Sequence, residues 1–425
     1  MWLGFAGRGA VVRGGFAGHS GFAALACALS LLSGCQQIAA FVAGEATDAG
    51  VVDVAADVAG DAMVRDGRQD PLEGGPSDAS ERGALDLDAA VDAASPSCLP
   101  TQEITTLKSG QLVDLTLSSN GTPHLFHVNT ANALVEHTAA AGSPLAQQPA
   151  SPSKSFGGDK VMRVGVADSG KLFVLAHSDL EARLETLGFS GWEQSITLAS
   201  TVVRGVGLTM LGSVANTVVA HAAANIADTD VVRFSTAGGT GLVKKHPRLN
   251  ETWNRIETAS NSGTVVYAGS TTANGWVFVC PAGQFVNLTD WSASTDSNDP
   301  LAVAIRGTTL DVLRIHQGAL QIDSVSLSSS AQLNFTQVAS GVGQRDFVAA
   351  SASGNALHVA HLSGNNGTVV WRRFDGTTWS KPVDVITGAS ATGRLVIATG
   401  NGWVHFMLSE DSPSPRRVRY TACQP

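Results

Sequence analysis

Charged residues make up only 15% of this chain of 425 residues, and long apolar runs are also missing. The N-terminal apolar stretch, GFAALACALSLL, has about a dozen residues, whereas a membrane-spanning helix needs roughly 20. No segment combines an extended 3.6-residue period with helix caps. These absences argue against a transmembrane helix and a helical bundle. The 44% of hydrophobic residues is too high for a chain that is disordered throughout.

The few charges are unevenly distributed. Residues 36–97 contain thirteen acidic and three basic residues, a net charge of −10. Residues 98–425 carry a net charge of only −1. A nearly neutral domain has no electrostatic basis for binding nucleic acid or an anionic membrane surface, so neither is expected as a partner. No motif in the sequence implies a cofactor, a metal ion or a set of catalytic residues.

Residues 1–35 have the order of a secretory signal: two arginines, the apolar stretch, and then the sequence LSGC ending at Cys35. LSGC resembles the lipobox of bacterial lipoproteins. The resemblance implies that Cys35 becomes the lipidated first residue of the mature protein and is held in the membrane by its acyl chains. Gln36, where aspartate would retain a lipoprotein in the inner membrane, implies the outer membrane of a Gram-negative host, facing the periplasm or the surface. The alternative is an ordinary signal peptide with an unrelated cysteine.

Residues 36–97 are dominated by alanine, aspartate, glycine and valine, and Phe41 is their single aromatic residue. Such a composition cannot bury enough apolar surface to offset the entropy cost of ordering, so a disordered acidic tether is predicted. The stretch VVDVAADVAGDAMV has some helical periodicity, and folding against a partner is the alternative. A flexible tether of about sixty residues has a mean reach of roughly 40 Å.

From residue 98 onward, short apolar runs alternate with turns rich in glycine, serine, asparagine and threonine, a pattern typical of an all-β fold. A unit of two such runs recurs seven times, at steps of 44 to 50 residues. The second runs align at His127, His177, His221, Ala268, Arg314, His361 and Phe406. Periods in this range indicate β-propellers with four strands per blade. Residues 98–425 are therefore predicted to form one seven-bladed β-propeller, with six or eight blades as alternatives.

The last repeat ends before a fourth strand, while the segment TQEITTL precedes the first repeat. We expect this N-terminal segment to complete the last blade, which closes the ring and removes an exposed sheet edge. Cys98 and Cys423 are then close together. Because an exported protein meets an oxidising compartment, they are predicted to form a disulfide, with two unpaired thiols as the alternative.

The clearest unit is GNALHVAHLSGNNGTVVWRRFDGTTWSKPVDV, residues 354–385. Its HVAH strand, arginine-bearing third strand and DGTTW turn resemble bacterial sialidase-like propellers. The turn is similar to the Asp-box of that superfamily, although Phe374 stands where the motif has its aspartate. A sialidase also needs a tyrosine nucleophile paired with a glutamate, and an aspartate as acid/base. Because the only tyrosines, Tyr267 and Tyr420, fall in a second strand and in the closing strand, sialidase activity is not expected.

Five arginines lie in or beside the predicted first strands of the repeats: Arg163, Arg204, Arg255, Arg345 and Arg394. First strands line the central channel of a propeller, and guanidinium groups there can fork onto a carboxylate or phosphate. These five are the candidate ligand-binding residues, and the alternative places them at solvated strand ends. Glycoside hydrolysis needs a pair of carboxylates. The acidic residues near first strands that are candidates for such a pair are Asp114, Asp159, Glu257 and Asp346.

Other chemically versatile residues are expected to be structural. Histidines recur at second-strand ends: His127, His177, His221 and His361, with His405 nearby. Equivalent positions in neighbouring blades are too far apart to share a metal ion, so hydrogen bonds that close blade turns are expected. Cys280, in the apolar strand WVFVCPAG, is predicted to be a buried, unreactive thiol. Trp192, Trp291 and Trp379 are expected to pack between blades. Stacking on sugars is the alternative.

The sequence thus favours a non-enzymatic binding module. It predicts a monomeric propeller, anchored in the membrane by the lipid on Cys35, that presents its loop face to a glycan or an envelope protein. The alternatives are a carbohydrate-active hydrolase with a diverged site and a scaffold for envelope assembly.

Overall fold

The computed structural model describes residues 96–425 with short gaps. In some strands it describes the backbone and not every side chain. The gaps are 106–111, 141, 150–153, 201, 224–225, 236–239, 247–252, 262, 272–273, 282–285, 293–300, 329–332, 343–346, 364–366, 390–392 and 411–415. The predicted signal, Cys35 and residues 36–95 of the predicted tether lie outside the described residues. Within the described part, no helix has the length and apolar character needed to cross a membrane.

The described residues form 29 strands, grouped here by sheet. Sheet 1 contains β3 Val113–Leu117, β4 Pro123–Val128, β5 Leu134–Thr138 and β6 Ala146–Gln147. Sheet 2 contains β7 Val161–Val166, β8 Leu172–His177, β9 Ala182–Gly188 and β10 Gly191–Ala199. Sheet 3 contains β11 Val202–Leu211, β12 Val214–Ala223, β13 Ile226–Ser235 and β14 Thr240–His246. Sheet 4 contains β15 Trp253–Asn261, β16 Thr264–Thr271, β17 Asn274–Pro281 and β18 Val286–Ser292. Sheet 5 contains β19 Leu301–Arg306, β20 Thr309–His316, β21 Ala319–Ser326 and β22 Thr336–Ser340. Sheet 6 contains β23 Val348–Ser353, β24 Ala356–Ser363, β25 Thr368–Phe374 and β26 Val383–Ile386. Sheet 7 contains β27 Leu395–Gly400, β28 Trp403–Glu410, β29 Arg417–Gln424, β1 Ser97–Cys98 and β2 Gln102–Thr105.

Sheets 1 to 6 are antiparallel meanders and sheet 7 is antiparallel throughout, which confirms the all-β prediction. The seven positions at which the repeats align, from His127 to Phe406, all lie in second strands. The sequence period is therefore the period of the sheets. It arises because each sheet repeats the same series of short apolar strands separated by tight turns. In the turn between β27 and β28, for example, Asn401 and Gly402 both have positive φ (51° and 74°), the conformation that suits a two-residue hairpin loop.

The seven sheets follow one another around a ring. The first strand of each sheet contacts the first strand of the next, and β27 of sheet 7 contacts β3 of sheet 1. In the described residues, each junction between consecutive sheets has its own cluster of buried hydrophobic residues. Between sheets 1 and 2, for example, Phe126 and Val128 pack against Phe156 and Met162. Burying such side chains contributes roughly 1.5–3 kcal/mol each, so packing between sheet faces holds the ring together.

The N-terminal segment completes sheet 7. Both β1 and β2 pair with β29, and the register places Gln102 opposite Tyr420. Cys98 and Cys423 face each other in the ladder and form the predicted disulfide, which joins residues 325 positions apart. Because β1 begins at Ser97, this residue belongs to a strand and not to the predicted tether.

Candidate functional site

A cavity of about 660 Å³ lies along the axis of the ring, and residues from all seven sheets line it. The lining comes mainly from the first strands, as the sequence predicted for a central channel. We call the end of the cavity at which the first strands begin the strand-start mouth. The strands approach one another closely along the cavity: a Cβ on Gly207 of β11 would lie 2.6 Å from Cγ2 of Thr258 on β15. Only glycine permits this approach.

Three of the five candidate arginines, Arg163, Arg204 and Arg394, line the cavity near the strand-start mouth. Arg163 and Arg204 are the third residues of β7 and β11. Arg204 is exposed, and Arg163 is half-buried and donates from Nη1 to the carbonyl of Met162 (2.9 Å). Arg255 is likewise the third residue of β15, where only the backbone is described, and Arg345 lies outside the described residues.

Arg394 also lines the cavity, but its guanidinium group is engaged in closing the ring. Its Nη1 donates to Oδ1 of Asp114 (2.7 Å) and to the carbonyl of Val113 (3.0 Å). Asp114 is buried, and its Oδ2 accepts a hydrogen bond from the backbone of Val164 in sheet 2 (2.7 Å). These two residues, which the sequence made candidates for ligand binding and hydrolysis, therefore join sheets 7, 1 and 2.

The other acidic candidates do not form a hydrolytic pair in the described residues. Glu257 lines the cavity, and Asp159 is bound instead to Arg183 in sheet 2. Asp346 lies outside the described residues.

Both tyrosines of the chain are buried between sheets. Tyr267 is fully buried. Tyr420 is 2% exposed and bonds through its hydroxyl to Nδ1 of His405 (2.8 Å), and burial raises its pKa above the usual range. Neither lines the axial cavity, so neither is placed to attack a ligand there.

The recurring histidines are buried within or between sheets. Nδ1 of His177 donates to the carbonyl of Ser178 (2.9 Å) at the turn after β8, the role expected from the sequence. His127 and His137 meet through their Nε2 atoms (3.2 Å). Burial lowers the pKa of His127 and of His405 from 6.5 to about 4, so both are neutral at neutral pH. Among the residues that the structure describes, no group of three or more His, Cys, Asp or Glu side chains has metal-binding geometry.

The DGTTW segment forms a tight turn after β25. Oδ1 of Asp375 accepts hydrogen bonds from the backbone of Thr377 and of Thr378 (2.8 Å each), and the hydroxyl groups of both threonines also donate to its carboxylate. Trp379 packs on Phe374, with ring centroids 5.0 Å apart, in the cluster between sheets 5 and 6. Asp375 therefore organises the turn.

A second polar cluster, which the sequence did not predict, lies between sheets 1 and 2. We call it the 1–2 cluster and define it by Lys154, Phe156, Asp159, Arg183, Glu185, Trp192 and Ser195. Arg183 and Glu185 share one face of β9, as their spacing of two residues indicates. Lys154 contacts Glu185 from 31 positions away, a pairing for which the sequence contains no local signal.

Two further sequence predictions fall on side chains that the structure does not describe. Cys280 lies in β17, opposite Val265, with only its backbone described. The same holds for Trp291 in β18. Trp192, in contrast, packs against Phe156 of the segment before β7, with ring centroids 5.8 Å apart, in the hydrophobic cluster between sheets 1 and 2.

Comparisons with known proteins reveal the fold and no shared sequence family. No family model and no curated protein matches the chain. The BP39L lectin from Burkholderia pseudomallei matches with a TM-score of 0.55 and 13% identity, over 72% of this chain and 94% of that chain. U3-55K matches with a TM-score of 0.50 and 10% identity, over 76% of this chain and 98% of that chain. The SapL1 lectin in complex with alpha methyl fucoside matches with a TM-score of 0.41 and 11% identity, over 66% of this chain and 98% of that chain. The first two likenesses support a β-propeller-like fold.

Proposed function

We propose that this chain is a lipid-anchored, seven-bladed β-propeller of the bacterial cell envelope that binds glycans without cleaving them. The observation that carries the proposal is the axial cavity of about 660 Å³, with Arg163 and Arg204 near its strand-start mouth. Its volume falls within the roughly 300–1,000 Å³ of small-molecule sites. The ring of seven sheets, each with its own hydrophobic junction, supports the count of seven blades.

The chemistry of the cavity suits a polar ligand with many hydroxyl groups. Guanidinium groups at the mouth donate hydrogen bonds to hydroxyl or carboxylate oxygens. Further along, the cavity is lined by the hydroxyl-bearing residues Thr116, Thr209 and Thr258. BP39L, which shares the fold, is a lectin by its description, and glycan binding by this chain agrees with that likeness.

A binding role is favoured over hydrolysis because the side chains that a sialidase-like reaction needs are elsewhere. Both tyrosines are buried between sheets, and the cavity-lining Asp114 is held by Arg394. Glu257 remains as a carboxylate on the cavity wall. A hydrolase with a diverged site is therefore the alternative that the experiment below must test.

A binding role is also favoured over an assembly scaffold. In the described part of the chain, the exposed large hydrophobic residues are Leu180, Phe189 and Val202. Leu180 and Phe189 lie at opposite ends of β9, so the three do not form one continuous apolar patch. Scaffolding surfaces usually present larger patches than this.

The outer-membrane location is part of the proposal and is supported by the LSGC sequence at Cys35 followed by Gln36. The chain enters the ring at Ser97, next to the disulfide, where β27 ends and β28 begins. This is the end of the ring opposite the strand-start mouth.

The test is a glycan array with the full chain in detergent, run beside a glycoside hydrolysis screen. We expect selective glycan binding and no turnover. Arg163→Met and Arg204→Met should each weaken binding at least tenfold, because loss of a charged hydrogen bond costs about 1.5–3 kcal/mol. Arg373→Met, at an exposed arginine of sheet 6 outside the cavity, is the matched control. Turnover of any glycoside would replace the proposal by the hydrolase, and no binding by the folded protein would refute glycan recognition.

A further inference from the structure

We infer that His177 is a further ligand-binding residue of the axial cavity, where its Nε2 atom accepts a hydrogen bond from a hydroxyl group of a neutral glycan. The inference rests on the proposed glycan-binding function and deepens it. It adds an acceptor to the arginine donors at the strand-start mouth, and this acceptor defines the class of sugar that the mouth takes.

His177 lies on the cavity wall at the strand-start mouth. It is the last residue of β8 and pairs with Val161, the first residue of β7. His177 is 6% exposed and lines the axial cavity. In the described part of the chain, no other histidine of the recurring set lines it, and His127 bonds to His137 instead. The repeat explains why a histidine ends this strand, but it does not explain the place of His177 on the cavity wall.

A hydrogen bond at the turn determines which ring nitrogen of His177 carries the proton. Nδ1 lies 2.9 Å from the carbonyl oxygen of Ser178, which can only accept, so Nδ1 is the donor. A neutral imidazole carries one proton, and Nε2 is therefore an acceptor. Burial lowers the pKa of His177 below its usual value, and the positive charge of Arg163 adds to this effect, so the ring is neutral at neutral pH.

Arg163 is a neighbour of His177 on the same face of sheet 2. Residues directly opposite in an antiparallel ladder have their side chains on one face, and β7 and β8 pair Val161 with His177 and Arg163 with Leu175. Arg163 and His177 are thus diagonal neighbours, which are typically roughly 7–8 Å apart. A long guanidinium donor and an imidazole acceptor at this separation can bind one hydroxyl group, which accepts from the first and donates to the second.

Arg204 adds a donor from sheet 3. It is the extra residue of a β-bulge, because the ladder between β11 and β12 shifts its register between Val203 and Gly205. Bulges redirect side chains and are frequent next to functional sites. Arg204 is exposed and lines the same cavity. The backbone of Val203 donates to the carbonyl of Asp179 (3.0 Å), which joins the start of β11 to the turn after His177.

This combination of donors and acceptor favours a neutral sugar over an acidic one. Arginines alone would suit a carboxylate or phosphate as well as a hydroxyl group. An ionised oxygen has no proton to donate to Nε2 of His177, and the lone pairs of the two atoms would repel each other. A sugar hydroxyl is both a donor and an acceptor, so it satisfies His177 and Arg163 together.

The protonation of His177 gives this contact a pH dependence. Acidification places a proton on Nε2, which removes the acceptor and adds a positive charge to the mouth. Affinity for a neutral glycan should therefore be highest above about pH 6.5 and fall as the pH decreases below it. The strand β9 presents Ala182 to His177. The titratable and charged residues on the other elements around it are Asp159 and Lys160 before β7, Arg163 on β7, Asp179 after β8, Arg204 on β11 and His221 on β12.

The experiment titrates the full chain in detergent with methyl glycosides of glucose, galactose, mannose and N-acetylglucosamine, and with methyl glucuronide as an anionic probe. Calorimetry measures binding at pH 7.5 and 5.0, and circular dichroism checks the fold. At pH 7.5 at least one neutral glycoside should bind, and His177→Leu should weaken its binding about tenfold, because the sugar hydroxyl loses its acceptor. His361→Leu is the matched control and should leave binding unchanged, since this aligned histidine of sheet 6 lies outside the cavity.

His177→Gln tests the acceptor separately from the imidazole ring. Glutamine offers a side-chain oxygen that does not titrate, so this variant should keep most of the affinity at pH 7.5. The wild-type protein should bind more weakly at pH 5.0 than at pH 7.5, and His177→Gln should not show this decrease. If His177→Leu fails to fold, the pH profile of His177→Gln decides the question.

The outcomes separate the role of His177 from the proposed function. Glycoside binding that is lost in the Arg163 and Arg204 variants and unchanged in His177→Leu overturns the role of His177 and leaves glycan recognition intact. Equal losses in His177→Leu and His361→Leu, or an acid-induced decrease that persists in His177→Gln, overturn it as well. Tighter binding of methyl glucuronide than of any neutral glycoside overturns the ligand class. No binding of any glycan by the folded chain overturns both proposals.

Discussion

Oδ1 of Asp114 lies 2.7 Å from Nη1 of Arg394, although the two residues are 280 positions apart in the chain. The same carboxylate accepts hydrogen bonds from the backbone of Leu115 (2.9 Å) and of Val164 (2.7 Å). One buried side chain thus connects the last sheet to the first and the first to the second. This carboxylate closes the ring on the side of the axial cavity. The N-terminal segment closes it a second time, because β2 pairs with β29 and the disulfide joins Cys98 to Cys423.

Asp114→Ala is expected to lower the free energy of unfolding by about 3–5 kcal/mol, because it removes a buried carboxylate and leaves the half-buried Arg394 guanidinium group and the backbone of Val164 without their acceptor. The measurement is urea unfolding followed by circular dichroism. The double variant Asp114→Ala/Arg394→Ala should lose less than the sum of the single losses. Lys160→Ala breaks the exposed Lys160–Asp179 pair and serves as the control, with an expected change within about 1 kcal/mol. Additive losses in the double variant would contradict the coupling.

Removing the Cys98–Cys423 disulfide should destabilise the ring. The bond closes a loop of more than three hundred residues, and loss of a native disulfide typically costs about 2–5 kcal/mol. We expect the double variant Cys98→Ser/Cys423→Ser, and the reduced wild-type protein, to show the same decrease in Tm. Mass spectrometry without reduction should find the two cysteines linked. Two free thiols in protein isolated under oxidising conditions would contradict the closure by disulfide.

The repeat period predicted the sheets well because it depends on local alternation of apolar and polar residues. Each second strand carries that pattern, so His127, Ala268 and Phe406 align in sequence and in structure. The closing strand and the disulfide followed from counting strands in the last repeat. These inferences needed no knowledge of long-range packing.

The candidate site was predicted less completely, since its side chains are paired by packing between distant segments. The sequence made Arg163, Arg204 and Arg394 equal candidates for ligand binding. In the structure the guanidinium group of Arg394 is bound to Asp114 and takes part in closing the ring. The 1–2 cluster was missed for the same reason. Nothing near Glu185 in the sequence indicates that Lys154, 31 positions away, is its partner.

Acidification should weaken the fold through its buried histidines. Burial lowers the pKa of His127, His358, His361 and His405 to about 4, against 6.5 in an unfolded chain. Protonation therefore favours unfolding: stability is complete above pH 6.5 and falls as the pH decreases toward 4. Each such histidine accounts for up to about 3 kcal/mol over this interval.

The measurement for the acid sensitivity is urea unfolding at pH 7.5 and 5.0. His358→Leu should reduce the difference in unfolding free energy between the two pH values by about 1–2 kcal/mol, because one buried titrating group is gone. His358 stacks on Trp371, so the variant keeps an apolar contact with that ring. A pH dependence equal to that of the wild type would contradict the assignment.

The DGTTW turn should depend on the carboxylate of Asp375. Asp375→Ala removes an acceptor for four hydrogen bonds from Thr377 and Thr378 and should lower Tm by about 2–4 °C. Asp375→Asn retains a side-chain oxygen that can accept from the two backbone groups, and a smaller decrease is expected. Both are compared by differential scanning calorimetry. Equal decreases would show that the charge of the carboxylate, and not its hydrogen-bonding geometry, stabilises the turn.

Anchoring through Cys35 should be abolished by Cys35→Ser. The LSGC sequence predicts that the thiol of Cys35 carries the diacylglyceryl group, and serine has no thiol to modify. In cells fed radioactive palmitate, the wild-type chain should be labelled and should sediment with the outer membrane, whereas the variant should be unlabelled. Cys27→Ser, in the apolar stretch of the same signal, is the matched control and should leave labelling unchanged. Because a lipid chain supplies about 0.8 kcal/mol of membrane affinity per buried methylene, loss of acylation should move the protein to the soluble fraction. Membrane association that persists in the unlabelled variant would assign the anchoring to another part of the chain.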